Sequence, residues 1–512
     1  MAFSTIIQLA LGAVALYVAL DIQHRKRARV SNPQGLPLPP GPVALPFIGC
    51  VLHLPLKSSW VLYEKWSKIY GDIIYMKVFD KHMVVLNSIK AANDLLGKRA
   101  IYADRMRMEM AGELMGWSNS VTLIHYGDRW RRYRRIIHPA FNSGVVDQYQ
   151  SSQQRVVVEY LNDLLQAPDS FVQSIRLMSS KLIMWVMYGI RVRDAQDEYV
   201  VLSEEAIKQL NEVIPPGAAM VELFPFLRHI PAWVPGAGFQ RRAKLGRETA
   251  RKMADAPLEY VKQQLALGSA TPCFATKALQ ENTYEGAEED IKHIGASMSA
   301  AAGDTTVSTL TSFFLAMALF PEVQKRAQSE IDRVVGTGRL PSFGDRQDLP
   351  YIQCLIKELL RWRVVLPIGI GHRLTEDDYY EGYYIPKGAL VVANVWGISQ
   401  DESVYPDPQR FSPERFEGEK NNTLDPFSYT FGLGRRICAG MHFANATLYL
   451  NIVSVLATFN ISKALDEHGR EIEPDLTDEG GIINHPLPFK CRITPRSTAA
   501  ANLILTAVLH DS

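Results

Sequence analysis

Between Ile294 and Phe320 the chain is apolar or small at nearly every position and carries one charge, Asp304. A helix that is apolar all round must be enclosed, either by lipid or by the rest of its own protein. A carboxylate at its centre and eight serines and threonines along it favour a buried core helix, because ionisable groups are costly in lipid. Gly303, Thr305 and Thr306 weaken the local hydrogen-bond ladder and predict a kink. A kink would free a carbonyl and present the Asp304 carboxylate and the Thr305 hydroxyl to a cavity, where the pair can relay protons through water. The competing arrangement is a threonine bonded back to its own helix beside a capped aspartate.

A second stretch, Phe431-Gly432-Leu433-Gly434-Arg435-Arg436-Ile437-Cys438-Ala439-Gly440, combines a glycine-permitted tight loop with two arginines and a lone cysteine. The run from Met441 to Phe459 is apolar on nearly every face and predicts a buried helix. Cys438 would then sit at a helix N-terminus, where the dipole and unpaired amides favour a thiolate. A thiolate held this way can attack, be oxidised or bind a metal; the alternative is an inert core cysteine. Cys50, Cys273, Cys354 and Cys491 lie far apart, and five cysteines without a CxxC pair suit neither a secreted disulfide framework nor a zinc site. A reducing compartment fits best. The net charge of +1 argues against nucleic acid as the main partner.

Phe3 to Leu20 is free of charge, and Arg25, Lys26, Arg27 and Arg29 follow it. That pattern predicts a retained membrane anchor with the main body on the cytosolic side. A cleaved signal peptide would want a basic start and a shorter apolar core. The sequons at Asn421, Asn445 and Asn460 are then expected to be unused. Pro33 to Gly49 is dense in proline and glycine and predicts a stiff spacer. The β-rich runs Ile73–Val78 and Met83–Leu86 predict a small sheet near the N-terminus. Residues 101–124 are rich in methionine, which suits either a flexible lid over an apolar pocket or a surface loop.

Residues His125 to Phe141 carry five arginines around Trp130 and Tyr133, with Asp128 as a candidate cap. Trp130 and Arg134 are four apart, so an indole N–H and a guanidinium can converge on one anion. A solvated basic helix is the plainer alternative. Amphipathic patterns from about 145 to 270 predict helical scaffold. On the helix Tyr351 to Arg363, periodicity alone makes Glu358 and Arg361 a surface ion pair.

Together these motifs resemble, in order and spacing along nearly the whole chain, the cytochrome P450 family of haem-thiolate monooxygenases. The loop Phe431 to Gly440 matches the family's haem-binding pattern. Glu358 and Arg361 match its Glu-x-x-Arg pair, and Arg415 in Pro-Glu-Arg-Phe the third member of that network. Trp130 and Arg134 match its Trp-x-x-x-Arg element, and Ala301 to Thr306 its oxygen-binding helix. The anchor and the proline-rich hinge resemble those of microsomal, eukaryotic members, fungal ones among them.

The resemblance implies a mainly α fold with small β-sheets: an anchor over 1–22, a basic and proline-rich hinge over 23–49, and one large haem-thiolate catalytic domain over 50–512. It implies haem b with Cys438 as axial thiolate, Phe431 shielding the sulfur, and Trp130, Arg134, His372 and Arg436 on the propionates. Asp304 and Thr305 would deliver protons, and Glu358, Arg361 and Arg415 would tie the proximal side together. The expected activity is insertion of one oxygen atom from O2 into a lipophilic substrate. NADPH would supply the electrons through a partner reductase at the endoplasmic reticulum membrane, docking on Arg131, Arg132 and Arg135. Other classes are a membrane-tethered haem sensor or carrier without turnover, and a haem-thiolate enzyme using peroxide or catalysing rearrangement. The family usually has proline where Val364 and Gly371 stand here, so the strand holding His372 is expected to be looser.

Overall fold

The computed structural model describes residues 32–55, 57–214, 218–418 and 423–511. The expected anchor, the basic cluster behind it and the Asn421 sequon lie outside the described residues. Among the described residues no single helix is long and apolar enough to cross a membrane.

The architecture is mainly helical. The helices that build the site and its surroundings are α1 (Asp128–Phe141), α2 (Gln150–Gln166), α3 (Phe171–Tyr188), α4 (Glu198–Val213) and α5 (Gly238–Ala266). They continue with α6 (Ala287–Leu319), α7 (Pro350–Trp362), α8 (Met441–Thr458) and α9 (Thr498–Asp511). α6 is the apolar stretch, entered through Gly286 with φ 83° and opened by Glu288, Glu289 and Asp290, which suit the positive end of the helix dipole. Phe313 to Met317 are fully buried, so protein encloses this helix. It runs without a break. The carbonyls of Ala302 and Gly303 accept hydrogen bonds from Ser179 of α3, at 3.4 and 3.2 Å, so the weakened part of the ladder is closed by a neighbouring helix. α8 is buried along most of its length, as its composition requires.

The strands are β1 (Ile73–Val78), β2 (Lys81–Leu86), β3 (Asp104–Arg105), β4 (His372–Arg373), β5 (Asp378–Tyr380), β6 (Tyr383–Ile385), β7 (Leu390–Ala393), β8 (Phe459–Lys463) and β9 (Cys491–Pro495). The sheet expected near the N-terminus is larger than the local pattern shows: its order is β1-β2-β7-β4-β3. β2 and β7 pair in parallel, and β4 lies antiparallel to both β7 and β3, with His372 opposite Val391 and Arg105. The hairpins β5–β6 and β8–β9 form separate two-stranded sheets. The sheet matters for function because its short inner strand carries His372 to the site.

Three local expectations change. Asp128 is the first residue of α1, the cap position being Gly127, and its carboxylate pairs with Arg131 at 2.6 Å. Met110 and Met115 are buried in a satellite core with Val213 of α4 and Met253 of α5, so these two methionines fill gaps under α4 and α5. Glu358 and Arg361 are wholly buried, which overturns the surface pair suggested by periodicity.

Candidate active site

A cavity of about 300 Å³ opens between the Cys438 loop, α1, α6, α8 and the segment 365–372. The loop is held by backbone geometry. The Cys438 N–H donates to the Phe431 carbonyl at 2.8 Å, and Phe431 stacks on Phe427 with centroids 5.5 Å apart. Gly434 has φ 54°, and a Cβ there would lie 2.4 Å from the Gly97 carbonyl oxygen and 2.5 Å from that of Leu96. Only glycine lets the loop seat against that turn.

Cys438 lines the cavity two residues before the cap of α8. Its accessible surface belongs to the cavity; protein surrounds the sulfur on every other side. Burial pushes the thiol up, while the Gly440 N–H and the Arg134 charge pull the other way without cancelling it. Binding to a metal would favour the deprotonated form of such a ligand.

The opposite chemistry gathers at one edge. Arg134 donates to the Ile437 carbonyl at 3.2 Å. Arg436 donates to the carbonyls of Ala103 (2.7 Å) and Ile124 (2.6 Å), and its guanidinium lies 4.9 Å from the Trp130 ring centroid. Arg105, which the sequence reading passed over, joins them: it donates to Thr122 (3.0 Å) and Ile370 (2.6 Å) carbonyls. Burial pushes Arg105 down to about 9, helped by Arg436, and Arg436 down to about 10. Among the described residues no carboxylate lines this cavity. Asp104, beside it, is already engaged with the Tyr126 N–H, His125 and Arg373. One buried guanidinium, Arg105, and two half-buried ones, Arg134 and Arg436, hydrogen-bonded only to carbonyls, call for an anion, and the two carboxylates of a haem fit that demand.

His372 stands in the same wall. Its Nδ1 donates to the Tyr102 carbonyl at 2.7 Å. Burial, with Arg105 and Arg436 close by, holds it well below the usual histidine range. Its Nε2 has no hydrogen-bond partner among the described residues, and the arginines and the Trp130 N–H lie around the same edge. The missing proline at 371 does not leave the strand loose. Arg105 binds the Ile370 and Gly371 carbonyls, and Leu390 fills the space a Cβ would need, 2.5 Å away.

Asp304 and Thr305 face different spaces. Thr305 lines the Cys438 cavity, its hydroxyl donating back to Ala301 at 2.8 Å. Asp304 is buried and lines a separate polar cavity of about 470 Å³. There it accepts from His485 (3.2 Å), Arg176 (3.3 Å) and Asn211 (3.4 Å). Burial works against its charge, but His485, Arg176 and Asn211 outweigh it and hold the carboxyl below the usual range. His485 and Arg176 come from distant segments, and no sequence pattern links them to Asp304.

Behind the loop, Arg361 makes a two-point pair with Glu358, both at 2.7 Å. Arg415 adds a third contact at 3.0 Å, and the Ser412 N–H a fourth at 2.8 Å.

Among the described residues, a cysteine on the wall of a largely apolar cavity with a cationic edge and no carboxylate fits a haem-thiolate protein. The chain matches the family model described as Cytochrome P450 over residues 39–493 and belongs to that family. It is 40% identical over 505 residues to the cytochrome P450 monooxygenase claR of Ampulloclitocybe clavipes, covering 98% of this chain and 92% of that protein. It is 42% identical over 491 residues to the monooxygenase COX2 of Coprinopsis cinerea, with 94% and 92% covered. To ple1 of Rhodocybe pseudopiperita it is 40% identical over 502 residues, with 96% and 94% covered. The chain is a cytochrome P450 monooxygenase, a family that uses haem-thiolate iron and O2.

Proposed function

We propose that the enzyme is membrane-anchored and inserts one oxygen atom from O2 into a lipophilic organic substrate, with electrons from an NADPH-dependent reductase at the endoplasmic reticulum membrane. One observation carries this reading: a single cavity gathers Cys438, three guanidiniums and Thr305 and, among the described residues, has no carboxylate of its own. Bound there, haem iron supplies the oxygen-activating chemistry, with a thiolate ligand favouring O–O cleavage. Cys438 Sγ would hold the metal. Arg105, Arg134, Arg436 and the Trp130 N–H would hold the propionates, and Phe431 limits water beside the sulfur. Thr305 Oγ1 is placed to hold a proton on the cavity side of α6, and Asp304 on the polar side. The two are consecutive residues, so α6 itself separates solvent-facing from cavity-facing steps.

Exposed apolar side chains support the membrane reading. Phe47, Phe226 and Trp233 are 70%, 67% and 81% exposed. The Phe79 N–H donates to the Ile48 carbonyl at 3.2 Å, and the Phe79 ring packs on Phe224, which packs on Phe226. The β1–β2 turn and the segment after α4 therefore meet through Phe79, Phe224 and Phe226, and exposed apolar side chains of this kind seek lipid or a partner. The test is optical first: reduced, haem-loaded enzyme under carbon monoxide should show the red-shifted thiolate band, and its absence would sink the haem-thiolate assignment. Product formation that needs NADPH and reductase then separates monooxygenation from ligand carriage or peroxide chemistry.

A further inference from the structure

We propose that Thr306 orients the substrate: its hydroxyl donates to an oxygen on an otherwise uncharged, aliphatic, non-aromatic molecule. The inference rests on the monooxygenase reading above and names the substrate class that this cavity suits.

Thr306 lines the Cys438 cavity, and among the described residues it is the one hydroxyl on that wall with no hydrogen-bond partner. Its neighbours on α6 are all engaged within the helix. Ser297 donates to the His293 carbonyl at 2.6 Å, Thr305 to Ala301 at 2.8 Å and Thr309 to Thr305 at 3.0 Å. The hydroxyls contributed by other elements are occupied as well. A threonine in a helix ordinarily bonds back to its own backbone, and Thr306 keeps its donor free on the cavity side.

The surrounding wall defines the rest of the ligand. Leu182 and Ile183 of α3, and Val365, Leu366, Ile368 and Ile370 of the segment after α7, are aliphatic. The aromatic side chains of the cavity, Trp130, Phe141, Tyr429, Phe431 and Phe443, come from α1, the cysteine loop and α8, the part that would seat the haem. No ring from α3, α6 or 365–370 offers a stacking partner to an aromatic substrate. Among the described residues no carboxylate lines the cavity to match a cation, and the cations at its edge are those assigned to the propionates. A saturated carbon skeleton fits this wall, and one hydroxyl amid aliphatic groups fixes orientation by a single hydrogen bond, the usual division of labour in such sites.

The test uses the haem-loaded full chain and two matched bicyclic probes, decalin and 2-decalone, titrated by the change in the haem absorption band. One net hydrogen bond is equivalent to about 3- to 10-fold in affinity. Wild type should bind 2-decalone tighter than decalin by about that factor. Thr306→Val should abolish the preference by weakening the ketone alone, and Thr306→Ser should keep it. Naphthalene should bind no tighter than decalin. The proposal is overturned if the preference survives in Thr306→Val, if wild type shows none, if neither bicycle shifts the spectrum, or if naphthalene is preferred. A normal thiolate band with carbon monoxide alongside any of these results removes this proposal alone. Loss of that band in wild type removes the haem-thiolate reading with it.

Discussion

Gly434 shows how one residue can decide whether the site exists. Its φ is positive and its Cβ position is occupied by the carbonyls of Leu96 and Gly97, so neither the backbone nor the neighbour can yield cheaply. Gly434→Ala should lose about 1–3 kcal/mol of stability and retain less haem, read by thermal unfolding and by the ratio of haem to protein absorbance. Glu358 is a different case. It is fully buried and pairs with buried Arg361 and half-buried Arg415. Glu358→Gln should cost about 3–5 kcal/mol, since removing one partner leaves buried charge uncompensated; denaturant unfolding measures it. His372 is oriented in the cavity wall by its Nδ1 bond to the Tyr102 carbonyl.

At the scale of elements, α1 is tied to α6 through Asp290, which is buried and accepts from Arg129 (2.8 Å), Arg132 (3.3 Å) and Tyr284 (2.8 Å). This fixes the helix that carries Trp130 and Arg134. Burial opposes the Asp290 charge, but Tyr284 and the arginines outweigh it and hold the carboxyl below its usual range. A carboxyl depressed in the folded state contributes fully above its unfolded value, near 4, and loses that contribution as pH falls through the lower folded value. Arg129 and Arg132 are each about a third exposed, so solvent screens the pair. Asp290→Asn should therefore cost about 1–2 kcal/mol at neutral pH, and the gap to wild type should close on acidification below pH 4. Unfolding midpoints across pH check both.

For the whole molecule, the partner surface is narrower than five arginines in one helix suggest. Arg131 is paired with Asp128 and Arg132 with Asp290, while Arg135 is exposed and among the described residues makes no ion pair closer than its longer-range attraction to Asp128. In the proposed complex with a reductase, Arg135→Glu should slow reduction and flatten its dependence on salt, leaving haem content unchanged. Stopped-flow reduction at two ionic strengths tests this, and an unchanged rate would remove α1 from the docking face.

The buried helices α6 and α8, the cysteine loop between glycines and the Trp130–Arg134 spacing were legible in the chain because each depends on local pattern: apolar periodicity, turn chemistry, four-residue offsets. The order of those motifs was enough to point to the family. What the chain alone could not decide was direction. Periodicity put Glu358 and Arg361 on a surface because charged faces usually meet water, and only the packing of 399–415 over them makes that face an interior. Asp304 and Thr305 are adjacent in sequence, yet α6 turns one toward His485 and the other toward Cys438, since successive helical residues point about 100° apart. Arg105 and His485 carry no local signal; they matter because strands and loops distant in sequence end beside the site. Residue chemistry is set by the sequence, but which solvent, charge or cavity each side chain meets is set by the fold.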